Sequence, residues 1–197
     1  MIRFREGERV LLMSVGTHAS EEFVEIIKRK QREIKEAGYA LWGYGGSLGK
    51  PTGKLLQDFL NGATDTIEVL MRPTNSSHNG DANRADEFSV DGINWDTIPD
   101  SINCRGSEWA LCLDRLQVVD EAFNPNEFRV VGGVSNGKVG SVFRTRGQAD
   151  QLRLEFVGGD VEPDFEPIWV RARLVSPYAV LVRDRPQGSG DSSNSRA

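Results

Sequence analysis

Three apolar runs in the N-terminal third, Val10–Val15, Tyr39–Tyr44 and Ile67–Met71, have the length of buried strands, and each gives way to polar loop residues. Between the first two, Phe23, Ile26, Ile27, Ile34 and Ala37 recur at helical spacing. Ser20 is positioned to cap that helix, Glu21 and Glu22 complement its positive end, and Gly38 follows as a stop. Lys28, Arg29, Lys30, Arg32 and Lys35 fall largely on its outward side, where Glu25 can pair with Arg29 one turn later. Pro51 then opens a shorter helix through Leu55, Leu56, Phe59 and Leu60, with Gly62 past its end. The order strand, helix, strand, helix, strand predicts right-handed crossovers and a small parallel sheet, a βαβαβ unit.

Beyond it the pattern changes. From Thr74 to Gly106 the chain is rich in Asn, Asp, Ser and Gly with scattered Phe88, Ile93, Trp95 and Ile98, which predicts a long lid-like loop or insertion that packs down. Trp109, Leu111 and Leu113 share one parity and Leu116 and Val118 the other, so a bulge near Asp114–Arg115 would keep both sets on the core side. Phe128–Val131 is a further short strand, and Ile168, Val170, Ala172 and Leu174 alternate cleanly, with Val180 and Val182 after Pro177. Gln187–Ala197 has no apolar anchor and reads as a disordered tail. The expectation is one globular domain over 1–186 of α/β class, with α+β as the alternative: a parallel N-terminal unit followed by a mainly antiparallel, β-rich C-terminal portion.

Composition narrows the function classes. A chain of 197 residues with a formal net charge of −5 argues against broad nucleic-acid or membrane-surface binding, although a local basic face stays compatible with it. No run of 18 apolar residues and no secretory leader pattern is present, so a cytoplasmic protein is expected. Cys104 and Cys112 are too few for a disulfide framework. A zinc site would need both of them together with His18 and His78, and neither pair has finger spacing. No metal and no cofactor is expected. The acidic stretch Asp81–Glu87 fails as a calcium loop, because the fifth and sixth positions are Ala85 and Asp86.

The candidate chemistry lies in the loops Gly16–Ser20, Gly45–Thr52 and Pro73–Asn79. If the three strands are parallel, these loops share the carboxyl edge of one sheet, where such sheets commonly bind ligands. Gly43, Gly45, Gly46, Gly49 and Gly53 with Lys50 and Lys54 resemble a phosphate cradle in composition, since glycines let backbone amides approach an anion. The segment is not a Walker loop: Gly49-Lys50 runs into Pro51, and Tyr44 stands at the first glycine position. Gly133-Val134-Ser135-Asn136-Gly137 spells a nucleophile elbow, but no histidine follows it in the chain. Finally, Arg3/Arg5, Arg144/Arg146, Arg171/Arg173 and Arg183/Arg185 repeat at spacing two, which on strands turns both guanidiniums to one face.

The resulting expectation is a ligand-binding protein whose partner is a small anion, a nucleotide or phosphorylated metabolite. Lys50 would neutralise charge, Ser20 and Ser47 would hydrogen-bond it, Trp42 or Trp95 would stack a base, and Thr17, Gly45, Gly46, Arg144 and Arg146 would complete the binding residues. A hydrolase or transferase on the same platform, with His18 or His78 as acid/base, is the second reading. An RNA- or protein-interaction module on the arginine face is the third, so a nucleic-acid or protein partner stays open.

Overall fold

The computed structural model describes residues 1–18, 21–44, 52–60, 66–78, 83–105, 108–144 and 151–184. In chain order the elements are β1 (Arg9–His18), α1 (Phe23–Ala37), β2 (Ala40–Tyr44), α2 (Gly53–Leu60), β3 (Thr66–His78), β4 (Glu87–Ser89), β5 (Asp96–Thr97), β6 (Trp109–Phe123), β7 (Phe128–Val130), β8 (Gln151–Phe156) and β9 (Glu166–Arg183). The strands build one mixed sheet in the order β2-β6-β9-β3-β1-β8-β7, with β4 alongside the far part of β9 and β5 alongside β4.

The parallel unit forms in part. β1 and β3 are neighbours and parallel, with Val10 opposite Glu68 and Met13 opposite Met71. β2 does not join them: it pairs antiparallel with β6 at the far edge, Ala40 opposite Leu113 and Tyr44 opposite Trp109. Since β6 is antiparallel to β9 and β9 to β3, β2 runs opposite to β1 and β3. The expected parallel βαβαβ unit is corrected to a parallel pair inside a largely antiparallel, sheet-rich fold. A short continuous apolar run suits any strand buried on both faces and does not name its neighbour. Here the long β6 and β9 take the places beside β2 and β3.

Alternation along the strands sorts the core. Leu11, Met13, Val69, Met71, Val170, Ala172, Leu113 and Leu116 pack beneath Ile26 and Ile27 of α1 and Leu56, Phe59 and Leu60 of α2. Leu113 and Leu116 reach this one core despite opposite parity because the β6 register slips between Leu113 and Arg115, where a bulge was expected, whereas Val118, expected to follow Leu116 inward, is exposed. On the other face, Val10, Leu12, Leu70 and Leu154 pack with Phe123, Phe128 and Phe143. Phe4 joins them, its ring edge-on to Phe128 at 5.0 Å.

The same face is covered at its β2 end by segment 83–105, from which Ala85, Ile98, Ile102 and Cys104 pack on Leu41, Ala110, Cys112, Val180 and Val182. Ile98 and Ile102 are fully buried. Within the stretch expected as a long lid-like loop or insertion that packs down, residues 83–105 form this core cover, pinned to β9 by Glu87 opposite Arg183 and Phe88 opposite Val182.

α1 differs from expectation in its charges. Its N-cap is Glu22, without a side-chain cap bond, and it ends at Gly38, whose φ of 83° and N–H to the Ile34 carbonyl make an αL cap. Arg29 pairs with Glu21 and Glu33 rather than Glu25, which pairs with Lys28. Lys30 is buried and donates to Glu33 and to the Leu41 and Asn103 carbonyls, so one ammonium ties α1 to β2 and to the core cover. α2 begins where Thr52 Oγ1 accepts from the Leu55 N–H, and Gly53 lies so close to β9 that a Cβ there would stand 2.5 Å from the Pro177 carbonyl oxygen.

Candidate functional site

The residues singled out in the sequence separate into three groups. Ser20, Gly45, Gly46, Ser47, Lys50 and Arg146, as well as the tail Gln187–Ala197, lie outside the described residues. Thr17, His18 and His78 end the parallel pair, where the backbone register sets Thr17 opposite Ser77 and His18 opposite His78. The chain leaves β2 at Tyr44, at the opposite end of the sheet, because β2 runs the other way. The ends of β1 and β3 are therefore brought together, and the end of β2 is not.

The third group is occupied by neighbours. Trp42 is buried in the helix-side core. Trp95 has the Arg183 guanidinium over its ring at 3.7 Å, with Arg183 also paired to Glu87. Arg144 is held by Asp164 and Glu166, which raise its pKa, and lies over Phe143, whose ring Arg72 also covers at 4.6 Å. Ser135 is buried in a single 3-10 turn closed by Asn136, whose side chain accepts from the Gly132 N–H at 2.6 Å. Cys104 and Cys112 are free thiols inside the apolar core under segment 83–105. Among the described residues no group of three or more His, Cys, Asp or Glu side chains gathers for a metal, and no helix is long and apolar enough to cross a membrane.

A recess lined by charged side chains lies elsewhere, at the amino ends of β1 and β3. A strip of sheet lies between the Phe128 core and segment 83–105 on the face away from the helices, and the recess reaches from it round the strand ends to Arg9 and Leu60 on the helix side. Leu116 and Ala172 turn inward to the helix-side core, so Arg115 and Gln117 on β6 and Arg171 and Arg173 on β9 turn outward into that strip. Along its side runs the N-terminal arm, fixed by the Ile2 N–H on the Ala122 carbonyl and the Gly7 N–H on the Phe156 carbonyl. Phe4 turns into the core, which sends Arg3 and Arg5 outward. The groove so formed has a volume of about 1190 Å3 and is lined by Arg3, Arg5, Arg9, Arg115, Arg171 and Arg173, against Glu6, Glu8, Glu68 and Glu155.

Three of these guanidiniums are committed. Arg9 pairs with Glu155 at 2.6 Å and lies over the Phe59 ring at 5.4 Å. Arg171 bridges Glu68 and Glu121, and Arg173 donates to both oxygens of Asp114 at 2.7 and 2.8 Å; the carboxylates raise both guanidinium pKa values. Arg3, Arg5 and Arg115 are exposed and have no acidic partner among the described residues. Arg115 moreover stands directly opposite Arg173 in the β6–β9 ladder. Like charges in that relation repel.

The arginine doublets at 3/5 and 171/173 were visible in the sequence. Arg115 was not, because it sits alone beside a bulge and nothing in its own segment marks it. Comparison with protein-family models, curated proteins and solved structures finds no match to this chain.

Proposed function

We propose that this protein binds a small anionic ligand, and that it does so in the arginine groove at the amino ends of β1 and β3. The observation carrying the reading is Arg115, opposite an Arg173 already held by Asp114, with Arg115, Arg3 and Arg5 lacking acidic partners among the described residues of the same groove. An anion there would neutralise Arg115, Arg3 and Arg5 and accept charge-assisted hydrogen bonds from forked donors. Of the six lining guanidiniums, Arg3, Arg5 and Arg115 have no acidic partner among the described residues. The reading keeps the ligand class that the loop chemistry suggested and moves the site to the other end of the same strands.

Thermal shift with sulfate, phosphate and citrate at constant ionic strength tests it. A ligand at about a hundred times its dissociation constant adds about 2.7 kcal/mol. The gain should shrink in Arg115→Gln and in Arg3→Ser/Arg5→Ser. Stabilisation unchanged in both variants would refute the site.

A second reading, a hydrolase or transferase using a histidine as acid/base, is favoured by the register that puts His18 opposite His78. Phosphate release from a nucleotide substrate, abolished in His18→Ala or His78→Ala, would support it; equal activity in both variants would remove it.

A further inference from the structure

We infer that the occupant of the arginine groove is a small soluble molecule bearing two or more phosphate groups and read through those groups alone, without a stacked ring. The inference rests on the anion-binding reading above and names its ligand.

Charge density is the first ground. Arg171 and Arg173 already hold Glu68 and Asp114, so a ligand carrying one carboxylate offers them nothing they lack. A phosphate group carries more charge and three acceptor oxygens, which lets it add to these ion pairs instead of merely replacing them. Extent is the second. Arg3 and Arg5 come from the arm on one side and Arg115 from β6 on the other, around a groove of about 1190 Å3, far more than a single oxyanion fills. Guanidiniums on both sides are satisfied together only by several anionic groups on one molecule.

The third ground is the absence of a stacking platform among the described lining residues. Phe4 is the one aromatic side chain there, and its ring is engaged with Phe128 at 5.0 Å and Phe156 at 5.8 Å. Recognition of single-stranded nucleic acid relies on aromatic faces beneath successive bases. Trp42 and Trp95, the rings expected to stack a base, are not in this lining.

Isothermal titration of the full chain at constant ionic strength, with orthophosphate, tripolyphosphate, ATP, citrate and a single-stranded RNA oligomer, decides the matter. Tripolyphosphate should bind at least about tenfold more tightly than orthophosphate or citrate, and ATP within about threefold of tripolyphosphate, since its base adds no contact. Arg115→Gln and Arg3→Ser/Arg5→Ser should each weaken tripolyphosphate by about tenfold, while Arg32→Gln on the exposed side of α1 leaves it unchanged. Citrate as tight as tripolyphosphate would overturn the phosphate inference and leave anion binding standing. ATP bound more than about thirtyfold tighter than tripolyphosphate, or RNA bound tightest with a steep salt dependence, would overturn the ring-free reading. No binding of any anion would remove both this inference and the function it rests on.

Discussion

Lys30 Nζ lies 2.8 Å from Glu33 Oε2, with the two side chains only 4% and 1% exposed. Burial pushes the Lys30 ammonium down from its ordinary pKa, while Glu33 pulls it back up. The pair survives because every remaining valence is used: Lys30 donates to two carbonyls, and Glu33 accepts from Arg29 and from the Asn103 N–H. Removing one member strands the other, so Lys30→Met should cost about 3–5 kcal/mol in urea unfolding. Lys30→Met/Glu33→Leu should cost clearly less than the sum of the two single changes. Additive losses would mean that the two groups are not coupled.

Segment 83–105 offers a second test, because a lid and a core cover respond differently to truncation. Ile98→Ala and Ile102→Ala each empty a fully buried site and should destabilise the whole chain by about 2–5 kcal/mol. A loss below about 0.5 kcal/mol, the size typical of surface substitutions, would restore the lid.

Gly53 is required by proximity. A Cβ there meets the Pro177 carbonyl oxygen at 2.5 Å and the Ala179 carbonyl oxygen at 3.1 Å, both backbone atoms that cannot swing aside. Gly53→Ala should therefore destabilise by about 1–3 kcal/mol despite the better helix propensity of alanine. A stabilised variant, measured by thermal melting, would show that α2 can lift off β9 freely.

The Glu21–Arg29 pair, 2.6 Å apart and partly exposed, sets a pH dependence. The Arg29 hydrogen bond lowers the Glu21 pKa from its ordinary 4.5, so the stabilisation is present above that value and is lost as pH falls through the lower folded-state pKa. Glu21→Gln should cost about 1 kcal/mol at pH 7 and progressively less as the pH falls below about 4. A difference constant with pH would assign the effect to packing.

Burial pushes the Cys104 thiol up to about 11 and the Cys112 thiol up to about 12. Neither offers a thiolate at neutral pH, so labelling by a disulfide reagent at pH 8 should follow the rate of unfolding. Stoichiometric labelling within seconds would contradict the burial.

How far the sequence carried can be seen in β2 and Lys30. Periodicity found β1, α1, β2, α2, β3 and the β6 bulge, because each leaves its own local signature. It could not say that Tyr39–Tyr44 would pair with β6, since partner choice lies in contacts more than sixty residues away. Lys30 was read as a solvated helix charge, and only the carbonyls of Leu41 and Asn103 make its burial tolerable. The site divides in the same way. Arg3, Arg5, Arg171 and Arg173 were legible as doublets, whereas their meeting with Arg115 required the sheet.

β9 gives the fold an order of events. Its first half lies between β6 and β3 and its far end between β6 and β4, and all three of those partners precede it in the chain. Until Glu166–Arg183 arrives, β3 and β6 have no strand to join them and the floor of the groove is missing. Pairings of this span are the slow step in β-rich folding. Sheet and groove should thus form together, in one late closure that waits on β9.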